Sequence, residues 1–304
     1  MNYENFILEV KSRVECLCSD AKVSVERVVK NNSLTLDGIV IRREGESLTP
    51  TIYLNGMYGE FRSGKTLDDI IEEIICIDKT QRMNCDIDIN YFSNFELVKE
   101  SIFAKLINKE KNEELLKRLP HREFLDLAIV YYGMYEGFSD GVGTWNITKE
   151  ILEAYSIDED VLHQTAMNNS IQKRPYFIKN MLELLEEIMP EEDFAQYIDE
   201  DMMLERRNPM YVMSNEDKTL GAITVLYPGV LNAFYEKHGN FYVLPSSIHE
   251  VILIPVSEGI EERELQNMVE EVNRLALKQE EFLSDNVYIY EGEVNKLRKL
   301  RKIT

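Results

Sequence analysis

The fold class of this chain is decided by residues 124–147, FLDLAIVYYGMYEGFSDGVGTWNI. The first part, 124–135, is a run of aliphatic and aromatic side chains typical of a buried β-strand. Glycines between 137 and 143 interrupt the run and predict a tight connection, after which 144–147 returns as a second strand. The stretch therefore predicts a β-hairpin in the middle of the chain.

The sequence before this hairpin predicts helices and an antiparallel sheet. Residues 5–18 place Phe6, Val10 and Val14 at helical spacing, which is typical of an amphipathic helix. Thr66 is a favourable N-cap for another helix that covers the sheet. The further predicted elements are strands at 22–29, 33–43, 51–58 and 101–106, and a charged helix at 109–119 that ends at Pro120.

The rest of the chain continues the mixture of helices and strands. Helices are predicted at 181–189, 191–197, 229–237 and 261–283, and strands at 210–213, 241–244, 250–255 and 287–290. In the helix 261–283 an apolar stripe is formed by Leu265, Met268, Val269, Val272, Leu275 and Leu277. At 304 residues, more than one core is expected. We predict an α+β fold with mostly antiparallel sheet and two packed subdomains, residues 1–207 and 208–304.

The chain is strongly acidic. Lys and Arg number 34 against 55 Asp and Glu, so the net charge is −21. This field repels phosphate backbones and anionic membranes, so neither direct nucleic-acid binding nor membrane binding is expected, and it favours a protein partner of basic charge. No apolar run approaches the roughly 20 residues that span a bilayer. We expect a cytoplasmic protein with reduced cysteines.

Residues 59–66, GEFRSGKT, match the P-loop pattern, in which Gly59 and Gly64 shape the loop, Lys65 reaches phosphates and Thr66 holds magnesium. Three features argue against a nucleotide site. Asn55-Gly56 interrupts the preceding strand, and Glu60 would stand beside the triphosphate. No later strand ends in a metal-binding aspartate. We interpret the match as fortuitous, a turn before a capped helix, and predict no nucleotide binding.

The remaining candidates for chemistry are serine, histidine and cysteine. Ser246, Ser247, His249 and Glu250 are close in sequence, but neighbouring residues of a strand point to opposite faces and a triad is defined in space. A hydrogen-bonded structural corner is favoured. Cys16 and Cys18 project from opposite sides of a helix, and a second zinc-protease histidine is missing after His249. No catalytic residue, metal ligand or cofactor is predicted.

Several segments together resemble a known family. They are 106–108 with Asn112, LPHREFLDLA at 119–128, MYVMSN at 210–215, Gly221-Ala222, LYPG at 226–229, LPSSIHEVILIP at 244–255 and LSDNVY at 283–288. The chain is similar over nearly its whole length to an uncharacterised bacterial family, domain-of-unknown-function family 5688. The resemblance implies a common fold and carries no activity.

The sequence favours a non-enzymatic interaction or regulatory protein. A candidate functional surface is formed by Ser246, Ser247, His249, Glu250, Tyr227 and Asn215. Two alternatives remain open. One is a hydrolase or nucleotide-binding enzyme, with its site at the Ser-His-Glu segment or at Lys65. The other is an acidic mimic, in which residues 183–205 imitate a phosphate backbone and inhibit a nucleic-acid-binding protein.

Overall fold

The computed structural model describes residues 1–45, 49–82, 89–138, 141–190, 209–256, 261–275 and 277–300. In these residues the strands form three sheets with antiparallel pairings, and helices pack beside them, so the predicted α+β class is confirmed. The chain divides into two compact units, one of Met1–Lys99 with Met134–Thr144 and one of Glu100–Gly133 with Trp145–Thr304. The predicted boundary at 207–208 and the predicted helix at 191–197 lie outside the described residues.

The first unit contains a three-stranded sheet in the order β1-β2-β3 and the helices that cover it. Its elements are α1 (Tyr3–Leu17), β1 (Ala21–Val29), β2 (Thr35–Arg43), β3 (Thr51–Tyr53), α2 (Leu54–Arg62), α3 (Leu67–Arg82), α4 (Ile89–Ser93) and α5 (Phe95–Val98). Asn2 caps α1 by accepting the Asn5 N–H at 2.9 Å. Phe6, Val10 and Val14, four positions apart, then turn one face of α1 into the core.

The prediction of a strand over 51–58 is wrong beyond Tyr53. The chain turns there into helix α2, which starts at Leu54. Leu54 and Met57 are buried, and Tyr58 and Phe61 pack against the same core. These four side chains lie at positions i, i+3, i+4 and i+7, a helical spacing that outweighs the β-forming residues before it.

The second unit begins with a four-stranded sheet in the order β4-β6-β5, with a further strand, β7, beside β6. Its elements are β4 (Ile102–Asn108), α6 (Glu113–Leu116), β5 (His121–Phe124), β6 (Leu127–Phe138), β7 (Gly141–Asn146), α7 (Lys149–Tyr155) and α8 (Glu159–Lys173). The tip of the β6–β7 hairpin, Met134–Thr144, belongs to the first unit. The hairpin itself was predicted correctly, whereas the charged helix at 109–119 is shortened to α6.

Residues 124–135 are not one strand. Leu125 adopts a left-handed backbone with φ of 55°, and this turn reverses the chain between β5 and β6. Along the other side of β4, helix α8 supplies hydrogen-bonding side chains in place of a further strand. Ser170 Oγ accepts the Ala104 N–H at 3.1 Å, and Asn169 donates to the Ile102 carbonyl at 2.9 Å. Two backbone groups on the outer edge of β4 are therefore satisfied by side chains of α8.

The rest of the second unit is a six-stranded sheet in the order β13-β12-β10-β11-β9-β8. Its elements are β8 (Tyr176–Asn180), α9 (Met181–Ile188), β9 (Tyr211–Asn215), a 3-10 helix (Gly221–Leu226), α10 (Val230–His238), β10 (Phe241–Leu244), β11 (Val251–Pro255), α11 (Glu262–Leu275), β12 (Tyr288–Glu291) and β13 (Lys296–Lys299).

The six-stranded sheet is covered by helices on both faces. Alternate residues of β10 point to opposite sides. Tyr242 and Leu244 pack with Leu265 and Val269 of α11. Phe241 faces the other way and contacts Phe234 of α10, with ring centroids 4.8 Å apart. Helix α11 is therefore anchored to one face of the sheet by two buried side chains, those of Leu265 and Val269.

Two predictions for the end of the chain are corrected. The helix predicted to reach 283 ends at Leu275, because the carbonyl of Glu281 accepts the Ile248 N–H and that of Leu283 accepts the Asn108 side chain. The basic stretch from Lys296, which is not among the predicted strands, forms β13. Arg298 reaches Glu291 of the neighbouring strand through two bonds of 2.9 and 2.8 Å.

One carboxylate joins the two sheets of the second unit. Asp126, at the turn between β5 and β6, accepts hydrogen bonds from Ser284 Oγ at 2.6 Å, Asn286 Nδ2 at 2.8 Å and Tyr288 OH at 2.9 Å. Burial, together with the charge of Asp126, holds the pKa of Tyr288 well above its usual value, so the phenol remains a donor. Asn108 strengthens the same junction by donating to the Leu283 carbonyl at 2.9 Å.

We predict that Asp126→Ala lowers the free energy of unfolding by about 3 kcal/mol, because three donors lose a charged acceptor. Asp126→Asn, which keeps one acceptor oxygen, should lose roughly half as much. Urea denaturation followed by the fluorescence of Trp145, the single tryptophan, measures both. The control is Asp160→Ala, since Asp160 is 77% exposed in its pair with Arg122. An Asp126→Ala effect no larger than that of the control would contradict the prediction.

Candidate functional site

The segment 246–250 forms the corner between β10 and β11. Ser247 is buried, and its hydroxyl donates to Glu250 Oε1 at 2.7 Å. The same hydroxyl accepts the His249 N–H at 3.0 Å, and the Ser247 N–H donates to the Glu250 carbonyl at 3.1 Å. Serine and glutamate are thus brought together, and they hold the turn in place.

The ring of His249 points toward backbone. Its Nδ1 accepts the Leu220 N–H at 3.1 Å, so the neutral ring carries its proton on Nε2. The His249 carbonyl accepts the Ser214 hydroxyl at 2.7 Å. A catalytic triad needs the serine hydroxyl on the imidazole, whereas the Ser247 hydroxyl is directed at Glu250. The bonds from Ser214 and Leu220 therefore join the corner to β9 and to the residues that follow it.

Asn215 and Tyr227 are also engaged in hydrogen bonds. The buried carboxamide of Asn215 donates to the Thr219 carbonyl at 2.9 Å and accepts the Thr219 N–H at 3.2 Å. The Tyr227 hydroxyl lies 2.8 Å from the Ser170 carbonyl and 3.1 Å from that of Arg174, and burial raises its pKa. Ser246 is half-buried, and its N–H donates to the Leu244 carbonyl at 3.0 Å.

Gly221 shows how tightly this corner is packed. A Cβ there would stand 2.2 Å from Ser214 Oγ and 2.6 Å from both the Asn215 nitrogen and the His249 carbonyl oxygen. Any side chain at this position would therefore displace backbone atoms. Of the six predicted surface residues, Asn215 and His249 thus meet at a closely packed junction beside Gly221, whereas the Tyr227 hydroxyl is directed at the carbonyls of Ser170 and Arg174.

Residues 59–66, which match the P-loop pattern, lie where α2 ends and α3 begins. Gly59 is inside α2, and the N–H groups of Ser63 and Lys65 donate to carbonyls of that helix's last turn. Lys65 Nζ is 2.6 Å from a carboxylate oxygen of Glu60 and 2.5 Å from one of Glu73, and these bonds raise its pKa. The amides and amine that would bind phosphate are therefore engaged within the protein.

Gly64 and Thr66 complete this junction. Gly64 has φ of 108°, a conformation that favours glycine. The Thr66 hydroxyl accepts the Asp69 N–H at 3.2 Å and donates to the Asp69 carboxylate at 2.6 Å, which is the pattern of an N-terminal helix cap. The hydroxyl that would bind magnesium therefore caps α3.

We predict that millimolar Mg·ATP leaves the melting temperature of the wild-type protein and of Lys65→Ala unchanged, since binding would require Lys65 to leave two carboxylates. A nucleotide at 100 times its Kd would add about 2.7 kcal/mol of stability, so thermal denaturation would detect it. A nucleotide-dependent rise that Lys65→Ala abolishes would contradict this prediction.

A contact between the buried Tyr131 and the half-buried His163 was not identified from the sequence. The hydroxyl of Tyr131 lies 3.0 Å from Nδ1 of His163. Burial raises the pKa of Tyr131 to about 12. Burial also lowers the pKa of His163, and the positive charge of Arg122 lowers it further by a smaller amount. His163 was overlooked because its partner is 32 positions away and no local pattern marks the pair.

We predict that His163 makes stability depend on pH. Its folded pKa lies below the unfolded value of about 6.5, so the unfolded chain takes up the proton first and the free energy of unfolding falls as pH drops below that value. His163→Gln, whose carbonyl can accept the Tyr131 hydroxyl, should remove a slope of at most about 1.4 kcal/mol per pH unit. Urea titrations between neutral and mildly acidic pH measure this slope.

His238→Gln is the comparison, because burial lowers the pKa of His238 as well. Each single variant should therefore retain the part of the slope that belongs to the other histidine. A slope in His163→Gln equal to that of the wild type would show that the prediction is wrong.

The sequence assigned Met268, Val272 and Leu275 to the apolar stripe of α11, but it did not indicate which residues of that stripe remain exposed. Met268, Val272 and Leu275 are 42%, 41% and 71% exposed, while Leu265 and Val269 of the same helix are buried. We call Met268, Val272 and Leu275 the apolar row. They line a hollow of about 450 Å³ together with Glu264, Asn267 and Glu271.

A polar cleft lies along α11 beside the apolar row. It has a volume of about 740 Å³, and Asn267 and Glu271 border both hollows. The other residues lining the cleft are Lys111, Glu270, Asn273, Arg274, Phe282 and Asp285. Asn273 Nδ2 donates to the Ser284 carbonyl and to Asp285, both at 2.9 Å, so one wall of the cleft is attached to the Asp126 junction.

The polar cleft has mixed charge. Lys111 Nζ stands 3.2 Å from the centre of the Phe282 ring, a cation–π contact, and Arg274 adds a second cation. Carboxylates of Glu270, Glu271 and Asp285 oppose them. Among the described residues no group of three or more histidine, cysteine or acidic side chains is arranged to hold a metal ion. The cleft therefore presents both cationic and carboxylate side chains.

No helix in the described ranges is long and apolar enough to cross a membrane.

Fold and side-chain geometry together define an α+β protein in which Ser247, His249 and Lys65, the residues that suggested chemistry, are hydrogen-bonded in turns and at a helix end. The chain belongs to a family of unknown function, DUF5688, whose model matches residues 3–292. The family membership predicted from the sequence is thus confirmed. No curated protein and no solved structure matches the chain.

Proposed function

We propose that this protein acts by binding a protein partner of basic charge, without catalysing a reaction. The observation that carries the proposal is the apolar row. Single exposed apolar side chains are common at protein surfaces, but a continuous row bordered by polar residues is typical of an interaction site. Leu8 and Leu17 of α1, by contrast, lie nine positions apart and so on opposite faces of their helix.

The hydrogen bonds and ion pairs of the residues that suggested catalysis support the same proposal. Ser247 binds Glu250, His249 binds the Leu220 backbone, and Lys65 binds two glutamates. Ser247 is buried, His249 would have to release the Leu220 N–H before Nδ1 could accept a proton, and Lys65 would have to leave two carboxylates. A non-enzymatic role requires no such rearrangement.

Charge supports a basic partner. Four carboxylates, those of Glu264, Glu270, Glu271 and Asp285, border the two hollows of α11, against the cations of Lys111 and Arg274. The whole chain has a net charge of −21. Complementary charge accelerates association and excludes wrong partners.

We predict that the triple variant Met268→Ser/Val272→Ser/Leu275→Ser loses a partner that the wild type retains, because the removed side chains form the apolar contact. Affinity capture with the full chain identifies candidates, and the identified protein is then purified and its Kd measured. A loss of at least about tenfold is expected. The row is exposed, so the melting temperature should change little.

The matched control is Leu8→Ser/Leu17→Ser/Leu97→Ser, which removes three other exposed leucines. This variant should bind like the wild type. The proposal fails if no purified binding protein distinguishes the row variant from the control.

A further inference from the structure

The apolar row repeats with the period of a helix. Met268, Val272 and Leu275 occupy positions i, i+4 and i+7, which place them within one narrow stripe about 10 Å long. A stripe of this kind fits the apolar face of another helix, whose side chains recur at the same spacing. Methionine at one end is flexible enough to adapt to the partner's surface.

The backbone of α11 is not available for pairing. Hydrogen bonds within the helix occupy its N–H and C=O groups, so an extended strand would find no edge to join. An occupant must therefore bind through side chains. Helix-on-helix packing is the arrangement that buries a narrow stripe in this way.

Acidic side chains border the row along one margin. Glu264 and Glu271 are seven positions apart, the same interval that separates Met268 from Leu275. We call this pair the acidic margin. Lysine or arginine residues seven apart on an adjacent helix would meet both carboxylates. A second copy of this chain, with a net charge of −21, would bring like charges together.

From these observations we infer that the apolar row is occupied by an amphipathic helix of a partner protein. That helix has an apolar stripe of matching period and lysine or arginine along one edge of the stripe. The inference rests on the proposed function and adds the kind of partner segment to it.

The probes are labelled peptides of about 14 residues, roughly four helical turns. One has leucines at i, i+3, i+4 and i+7 with lysines elsewhere. A second has the same composition in shuffled order, and a third has glutamate in place of lysine. Fluorescence anisotropy with the full chain at physiological salt should show binding of the first peptide, and the other two should bind at least about tenfold more weakly.

Variants of the protein test the contacts. Met268→Ser/Val272→Ser/Leu275→Ser should abolish binding of the Leu/Lys peptide. Glu264→Lys/Glu271→Lys should weaken it about tenfold, the scale of reversing two solvent-exposed ion pairs, and should improve binding of the Leu/Glu peptide. The control Glu4→Lys/Glu72→Lys changes the net charge equally, and Glu4 and Glu264 each lie in the first turn of a helix. It should behave like the wild type.

Three results would overturn the inference: equal binding of the ordered and shuffled peptides, indifference to the row variant, or equal effects of the two charge variants. Sedimentation that shows a wild-type dimer lost in the row variant would also overturn it and would assign the row to a second copy. If peptides fail while a purified partner still depends on the row, only the helical inference falls. If no partner depends on it, the proposed function falls too.

Discussion

The arrangement of the second unit depends on the hydrogen bonds that the Asp126 carboxylate accepts. The carboxylate accepts them from Ser284, Asn286 and Tyr288, residues 158 to 162 positions later in the chain. An ionised acceptor forms stronger bonds than a neutral one, and all three donors belong to a segment that leads into β12. The four-stranded sheet and the six-stranded sheet are thereby held at one place.

The position of α11 follows from this junction. The helix is anchored to the sheet by Leu265 and Val269, while Asn273 bonds to Ser284 and Asp285 beside Asp126. Two sides of α11 are therefore occupied by the protein itself. The stripe that contains Met268, Val272 and Leu275 lies on a third side, which is why these side chains remain exposed although the helix is well anchored.

The residues that suggest chemistry serve the backbone in this structure. Buried polar groups require partners, and the corner at 246–250 provides them by pairing Ser247 with Glu250 and His249 with Leu220. Lys65 is only half-buried, but its amine is also engaged, because carboxylate oxygens of Glu60 and Glu73 lie 2.6 and 2.5 Å away. These hydrogen bonds and ion pairs support the proposed role in binding, because the groups would be free to react only after local rearrangement.

Local patterns in the sequence determined the secondary structure where period and turn residues agree. Helix α1 and the strands β10 and β11 could be predicted because each pattern is complete within a dozen residues. The hairpin could be predicted because two strand patterns flank the glycines between 137 and 143. Family membership was likewise visible in short segments. Tertiary structure alone decided the bond between Tyr131 and His163 and which apolar side chains of α11 are covered. Each of these depends on contacts with residues far away in the chain, and a sequence pattern records the spacing of side chains but not the surfaces that they meet.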